Sequence, residues 1–344
     1  MNKFRVIILT LISIVGIFMV YGSNIYASNK EDKLDVLFIS SFNLDFITFN
    51  DQLEGIKKGL GNNYNINIEY MDSKIFNSYE AETHFYNLIK YKLEAYGNIG
   101  LIISGDDDAT EFCIKYRNDL FKNIPISFLG VQQFERSNRA LKCDFMSGVS
   151  EIESIRENIE LIKKLNPNVK TINFLDSYGI KRYEEITTEY KDEYNFNWII
   201  TKDKTSEEIK NTLSGLDKNN AVIQLYVTDF LDNNFRDISE INKFIDESCK
   251  NAPIYNILFY DVGNGSIGGK VINHFNQGED AGKIAVELLN GQDKNDIYIG
   301  DDSANEYVFD YKALRKFGIK KSDLPLGSKI INDPIEVVKK YKNI

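Results

Sequence analysis

From Leu34 onward the chain repeats one unit: a short β-rich apolar run, then a longer run whose apolar residues recur at helical spacing. Asp35-Val36-Leu37-Phe38-Ile39-Ser40-Ser41 is apolar at alternate and intervening positions alike, as a strand covered on both faces of its sheet must be. Phe49 to Leu60 follows, with Leu53, Ile56 and Leu60 on one helical stripe. Ile66 to Met71, Ile99 to Ser104 and Ile124 to Gly130 read as the next strands, with helices from Tyr79 to Leu93 and from Asp108 to Tyr116. Strands joined through helices run parallel, because the helix carries the chain back over the sheet. The expectation is an α/β fold with a parallel sheet flanked by helices.

The rhythm restarts after Met146-Ser147-Gly148-Val149. Helices are expected over Ile152 to Leu165, Arg182 to Tyr194, Ser206 to Leu216 and Ser239 to Cys249, and strands over Val169 to Leu175, Trp198 to Ile200, Ala221 to Val227 and Pro253 to Phe259. A chain of 344 residues is long enough for two such halves. They share a rhythm but no repeated sequence, and no low-complexity tether separates them, so two closely packed Rossmann-like lobes are expected.

Ahead of this body, Met1-Asn2-Lys3-Phe4-Arg5 is basic, Val6 to Val20 is almost wholly apolar, and Tyr21 to Ala27 is small and polar. That order is a secretory signal cleaved after Ala27, or else an uncleaved membrane anchor. Either places the body outside the cytoplasm: secreted, periplasmic or tethered to the outer face of the membrane. The net charge of -10 argues against nucleic acid as a partner, since a phosphate backbone needs clustered Lys and Arg. Cys113, Cys143 and Cys249 form no metal-like spacing and read as structural, and none follows the apolar segment as a lipid-attachment cysteine would. Only His84 and His274 are available to a histidine-based metal site or triad, so neither a metal nor a cofactor is expected.

In an open parallel sheet, ligands bind beyond the carboxyl ends of the strands. The segments at those places are Ser41-Phe42-Asn43, Ser104-Gly105-Asp106-Asp107-Asp108, Gln132-Gln133-Phe134, Asp176-Ser177-Tyr178, Thr228-Asp229-Phe230 and Tyr260-Asp261-Val262-Gly263-Asn264. They are rich in amides, hydroxyls, carboxylates and rings and poor in cations, which suits a small polar or cationic ligand with an apolar part. Two enzyme-like patterns compete. Asp106-Asp107-Asp108-Ala109-Thr110 spells the Asp-x-Asp-x-Thr of haloacid-dehalogenase-like phosphatases, with Gly300-Asp301-Asp302-Ser303-Ala304-Asn305 resembling their late metal acids. In that family the first acid ends the strand directly, whereas here Ser104-Gly105 intervene. Gly263-Asn264-Gly265-Ser266-Ile267-Gly268 spells a dinucleotide fingerprint, but Gly269-Lys270-Val271 beyond it reads as extended where that motif needs a helix. These glycines are expected instead to form a tight loop near the cleft. One aspartate of the run, Asp107 or Asp108, is expected to cap the following helix.

Tyr260-Asp261-Val262-Gly263-Asn264-Gly265-Ser266-Ile267-Gly268-Gly269, with Asn276-Gln277-Gly278-Glu279-Asp280-Ala281-Gly282 opening a helix to Leu289-Asn290-Gly291, resembles the bacterial ABC-transporter substrate-binding family of the type I periplasmic-binding fold. The chain is similar as well to extracytoplasmic sensor domains of histidine kinases and diguanylate cyclases, through Ser104 to Asp107, Gly130-Val131-Gln132-Gln133-Phe134, Phe309 to Ile319 and Leu324-Pro325-Leu326-Gly327-Ser328. The resemblance runs from about Leu34 to Tyr341 and implies a clamshell that closes on a small organic solute without performing chemistry. The expected division is 34–145 plus 268–292 for the first lobe and 146–267 plus 293–330 for the second. Carried over loop by loop, ligand contacts would come from Ser41, Asn43, Asp106, Asp107 and Gln132 on one side, and from Tyr178, Thr228, Asp229, Tyr260, Asp261 and Asn264 on the other. The implied partners are an ABC permease and ATPase, or a membrane sensor kinase reading the closed state. A chain ending at Lys342-Asn343-Ile344 without an output domain favours the transporter.

Overall fold

The computed structural model describes residues 33–334 apart from 133, 180–182 and 233. The signal or anchor expected over 1–27, and Arg182 at the start of one expected helix, lie outside the described residues. Among the described residues no helix is long and apolar enough to cross a membrane.

The first lobe runs β1 (Leu34–Ser40), α1 (Phe49–Leu60), β2 (Tyr64–Tyr70), α2 (Tyr79–Tyr96), β3 (Ile99–Gly105), α3 (Asp106–Lys115), β4 (Ile126–Val131), α4 (Phe134–Lys142) and β5 (Met146–Ser150). Its strands form a five-stranded sheet in the order β2-β1-β3-β4-β5, and every pair is parallel. The continuous apolar run in β1 follows from its place inside this sheet: Val36 and Phe38 meet α1 on one face, Leu37 and Ile39 meet Phe112 and Phe128 on the other. All four are fully buried.

The second lobe continues through α5 (Ile155–Leu165), β6 (Thr171–Asp176), α6 (Glu184–Glu189), β7 (Asn195–Ile200), α7 (Ser206–Ser214), β8 (Asn220–Gln224), α8 (Ile238–Ser248), β9 (Ile254–Asn256) and β10 (Gly268–Val271). The chain then enters α9 (His274–Leu289) and returns as β11 (Glu306–Asp310), α10 (Tyr311–Lys316) and β12 (Lys329–Ile331). The seven-stranded sheet has the order β12-β11-β10-β9-β8-β6-β7 and is parallel except where β10 meets β11. A two-lobed α/β clamshell of the type I kind is therefore the architecture.

The boundaries between lobes differ from the expected ones in three places. β5 lies in the first sheet beside β4, so the chain leaves that lobe after Ser150, not at 146. β10 pairs within the second sheet, so the first lobe regains the chain only at α9 and not at 268. Residues after α9 also stay with the first lobe for a stretch, since Ile299 bridges Val149. The strand register decides each case, and hydrogen-bond partners of a strand are not written in its own residues.

α9 is held to α1 at very close range. A Cβ placed on Gly278 would lie 2.3 Å from the Gln52 carbonyl oxygen, and one on Gly55 would lie 2.1 Å from that of Phe275. Gly59 and Gly282 meet in the same seam. Gly278→Ala should therefore force the helices apart and cost about 1–3 kcal/mol in chemical denaturation. Gly215→Ala, where the added carbon would find nothing nearer than 3.5 Å, should stay within about 0.5 kcal/mol of wild type.

Candidate functional site in the interlobe cleft

The carboxyl ends of strands from both sheets face one another across a cleft of about 390 Å³, within the range of small-molecule sites. Phe42, Phe46, Thr48, Ser73, Lys74, Asp106, Asp107, Asp108, Gly130, Gln132 and Arg136 line it from the first lobe, and Tyr178, Tyr226, Thr228, Leu258 and Tyr260 from the second. Glu151 and His274, each on a segment passing between lobes, form its floor.

Asp106 is the most constrained of these residues. It opens α3 with a backbone φ of 67°, a left-handed conformation that costs a non-glycine residue energy. Its Oδ1 accepts from Gln52 Nε2 at 3.0 Å. A Cβ on Gly130, itself at φ 69°, would sit 2.4 Å from that same oxygen, so only glycine leaves room. The other oxygen, Oδ2, is buried without a hydrogen-bond partner in a residue 9 % exposed. Burial pushes the carboxyl up to about 7, helped by the charge of Glu151 and opposed by His274 and Gln52.

The helix cap expected from Asp107 or Asp108 does not form. Gly105 holds the cap position without a side chain, and Ser41 acts across the sheet instead. Its Oγ accepts from the Ala109 backbone N–H at 2.8 Å and donates to the Gly105 carbonyl at 2.7 Å. Ser41 is thus engaged in holding α3 and does not line the cleft. Asp107 lies 2.5 Å from Arg136 Nη1, which lowers the cost that burial places on its charge.

Glu151 collects donors from three directions: Gln132 Nε2 at 2.8 Å, Tyr226 Oη at 3.2 Å and, at 3.4 Å, His274 Nε2. Burial alone would raise its carboxyl, but these partners outweigh it and hold Glu151 below the usual carboxylate range. Burial likewise disfavours charge on His274, and Glu151 and Asp106 overcome it, so the imidazole titrates above its ordinary value. His274 also stacks on Tyr260, centroid to centroid at 6.0 Å. Across the cleft, Tyr178 Oη donates to Asp229 Oδ2 at 2.6 Å, and Thr228 Oγ1 donates to the same oxygen at 2.8 Å.

Of the residues expected to touch a ligand, the fold brings Asp106, Asp107, Gln132, Tyr178, Thr228 and Tyr260 to the cleft wall. Asp229 stands behind Tyr178 and Thr228, and Asn43 braces the loop below Lys74 through Asp72 at 3.0 Å. Asp261 is buried against Asn242 Nδ2 at 2.8 Å, and burial pushes its carboxyl up to about 7. Asn264 and its glycine-rich loop line a different groove, with Asp246, Asp310 and Lys316, so the loop expected near the cleft lies elsewhere. The cleft is also less poor in cations than the strand-end loops implied. Lys74 follows β2, Arg136 sits on α4 and His274 begins α9, all outside those strand-end loops. Lys74 Nζ lies over the rings of Phe42 at 5.2 Å and Phe46 at 5.8 Å. The loop after the second strand was a signal available in the sequence; Glu151 and His274 carried none, because their place depends on how the lobes cross.

Phosphatase-like use of the aspartate run finds no support in this geometry. Asp106 and Asp107 turn to different partners, and Asp302 is held by Lys270 and Ser154, each at 2.6 Å.

These buried acids set a pH dependence. Asp106 and Asp261 keep their protons in the native state up to about pH 7, yet ionise near about pH 4 once unfolded. Between those two values the native state binds protons that the unfolded state has released, so stability should fall as pH rises from about pH 4 to about pH 7, by up to roughly 1.4 kcal/mol per pH unit for each group, and level off above. Loss of the His274 proton acts in the same direction. Denaturation midpoints should therefore fall over this interval, and the Asp106→Asn, Asp261→Asn double variant should flatten the profile; an unchanged slope would contradict the assignment.

Comparison with known proteins agrees with the two-lobed fold. No curated protein sequence matches the chain significantly. In fold it is similar to a substrate binding protein with adhesive properties from Clostridium difficile, solved ligand-free and open, with a TM-score of 0.61 at 18% identity over 87% of this chain and 99% of that one. An ABC domain in complex with L-Trp from Streptococcus pneumonia superposes with a TM-score of 0.58 at 20% identity, covering 87% of this chain and 100% of the other. A carbohydrate transporter from Acidothermus cellulolyticus bound to myo-inositol gives 0.51 at 11% identity, over 78% and 92% of the respective chains. Residues 48–328, most of the two lobes, match the family described as ABC transporter substrate binding protein, and the chain belongs to that family, whose members bind solute and are not catalysts.

Proposed function

We propose that the cleft captures a small organic solute combining a flat or apolar part with a nitrogen-centred donor, amino-acid-like in character, and presents it to an ABC permease and its ATPase outside the cytoplasm. The observation that carries this reading is Asp106 Oδ2, a buried and unpartnered carboxyl oxygen in the cleft wall. Buried polar atoms rarely remain unpaired, and a ligand donor is the partner that this position offers. Thr48 Oγ1, also buried and unpartnered, lies in the same wall. Opposite charges are at hand for a zwitterion: Lys74 has no carboxylate partner among the described residues, while Arg136 and His274 are neutralised by Asp107 and Glu151. Phe42, Phe46, Tyr178, Tyr226 and Tyr260 give an apolar group rings to stack on from both lobes. The L-Trp complex of the Streptococcus pneumonia relative accords with such walls, and the myo-inositol complex of another shows how widely ligand chemistry varies on this fold.

A thermal-shift screen of aromatic amino acids, nucleosides and small organic cations should find a solute that raises the melting temperature, because binding the native state alone stabilises it. Calorimetry with that solute at about pH 8, above the native value of Asp106, should show Asp106→Asn weakening the Kd by about tenfold to a hundredfold, the worth of a hydrogen bond to a charged group. Lys74→Ala should weaken a zwitterion but not a simple cation. A solute that binds Asp106→Asn as tightly as wild type would overturn the role given to this carboxyl.

A further inference from the structure

We infer that Glu151 is a positioning residue that sets the angle between the lobes, by holding one side chain from each of them on a single buried carboxylate at the cleft floor. This rests on the solute-binding reading for its purpose, but its geometry stands apart from any ligand. Glu151 follows β5 on the first segment to leave the first lobe, and its backbone N–H still donates to the Val131 carbonyl at 2.9 Å. Its Oε1 accepts from Gln132 of the first lobe at 2.8 Å and from Tyr226 of the second at 3.2 Å. Its Oε2 faces His274, on the second passage between lobes, at 3.4 Å. The residue is 3 % exposed. A carboxylate so placed needs every donor it has, because a buried charge that loses a partner is costly.

Opening the clamshell withdraws Tyr226 from the first lobe and strips one donor from this charge. The Tyr226 hydroxyl also lies 3.0 Å from Glu153, so its single proton is shared between two carboxylates of the same passing segment. Gln132 and Tyr226 both line the cleft, which places the tie beneath the walls that must converge on a solute. The carboxylate thereby favours the lobe angle at which those walls face one another.

The test is a distance between lobes in ligand-free protein. Nitroxide labels at Ile75→Cys and Leu231→Cys, 65% and 63% exposed on strand-end loops of opposite lobes, report it by pulsed electron resonance in a Cys143→Ser background. Cys113 and Cys249 are buried. Tyr226→Phe, which removes only the hydroxyl, should move the distribution to longer distances and broaden it, and Glu151→Gln should do so further. A Tyr226→Phe distribution identical to wild type would overturn the proposal even if Glu151→Gln fails to fold. Since no solute is added, failure to find a ligand would bear on the proposed function and not on this tie.

Discussion

The close approach of α1 and α9 is the constraint from which the rest of the molecule follows. Two helices more than two hundred residues apart in sequence pack through Gly55, Gly59, Gly278 and Gly282, so the chain must return from the second lobe to the first and then leave again. That return makes the two lobes a clamshell joined by several passages instead of two beads on a string. It also delivers His274, at the head of α9, to the floor between the sheets. Glycine matters here because interhelical distance is set by whatever side chain stands in the seam.

Around that floor the fold accepts several groups that would be unfavourable singly. A carboxylate, an imidazole and a second carboxyl are buried together, and each one's protonation answers to the others. Glu151 keeps its charge because His274, Gln132 and Tyr226 supply donors; Asp106, with a single amide and a neighbouring negative charge, does not. The strained backbone of Asp106 and the glycine at 130 spend stability to hold in the cleft wall a carboxyl with one buried oxygen left without a partner. Such an arrangement is wasteful in a purely structural role and useful in a binding site.

Much of the fold was readable from residue pattern. Strands such as β1 and β3 carry unbroken apolar runs, Val36 to Ile39 and Leu101 to Ile103, because both faces are covered there, and helices such as α1 show their buried stripe at helical spacing. Elements with weaker patterns differ in extent from the expectation: the helix expected from Arg182 to Tyr194 spans Glu184–Glu189, and the strand expected from Pro253 to Phe259 spans Ile254–Asn256. In the site, residues at strand ends were found because the position is implied by the strand. Asp229 and Asp261 occupy such positions too, yet turn away from the cleft toward Tyr178 and Asn242, since side-chain direction in a loop is decided by its neighbours.

Local chemistry is therefore what the sequence alone determined: the alternation of strands and helices, the acidic balance, and the polar and aromatic character of the loops that end the strands. These follow from covalent order, because burial on both faces or on one stripe leaves its mark within a few residues. The lobe boundaries, the pairing of β5 and β10, the replacement of an aspartate cap by Ser41, and the meeting of Asp106, Glu151 and His274 were decided only by tertiary structure. Each depends on segments brought together from far apart in the chain, and the energies that choose among such pairings, packing in a glycine seam and the partnering of buried charge, exist only once the chain has closed on itself.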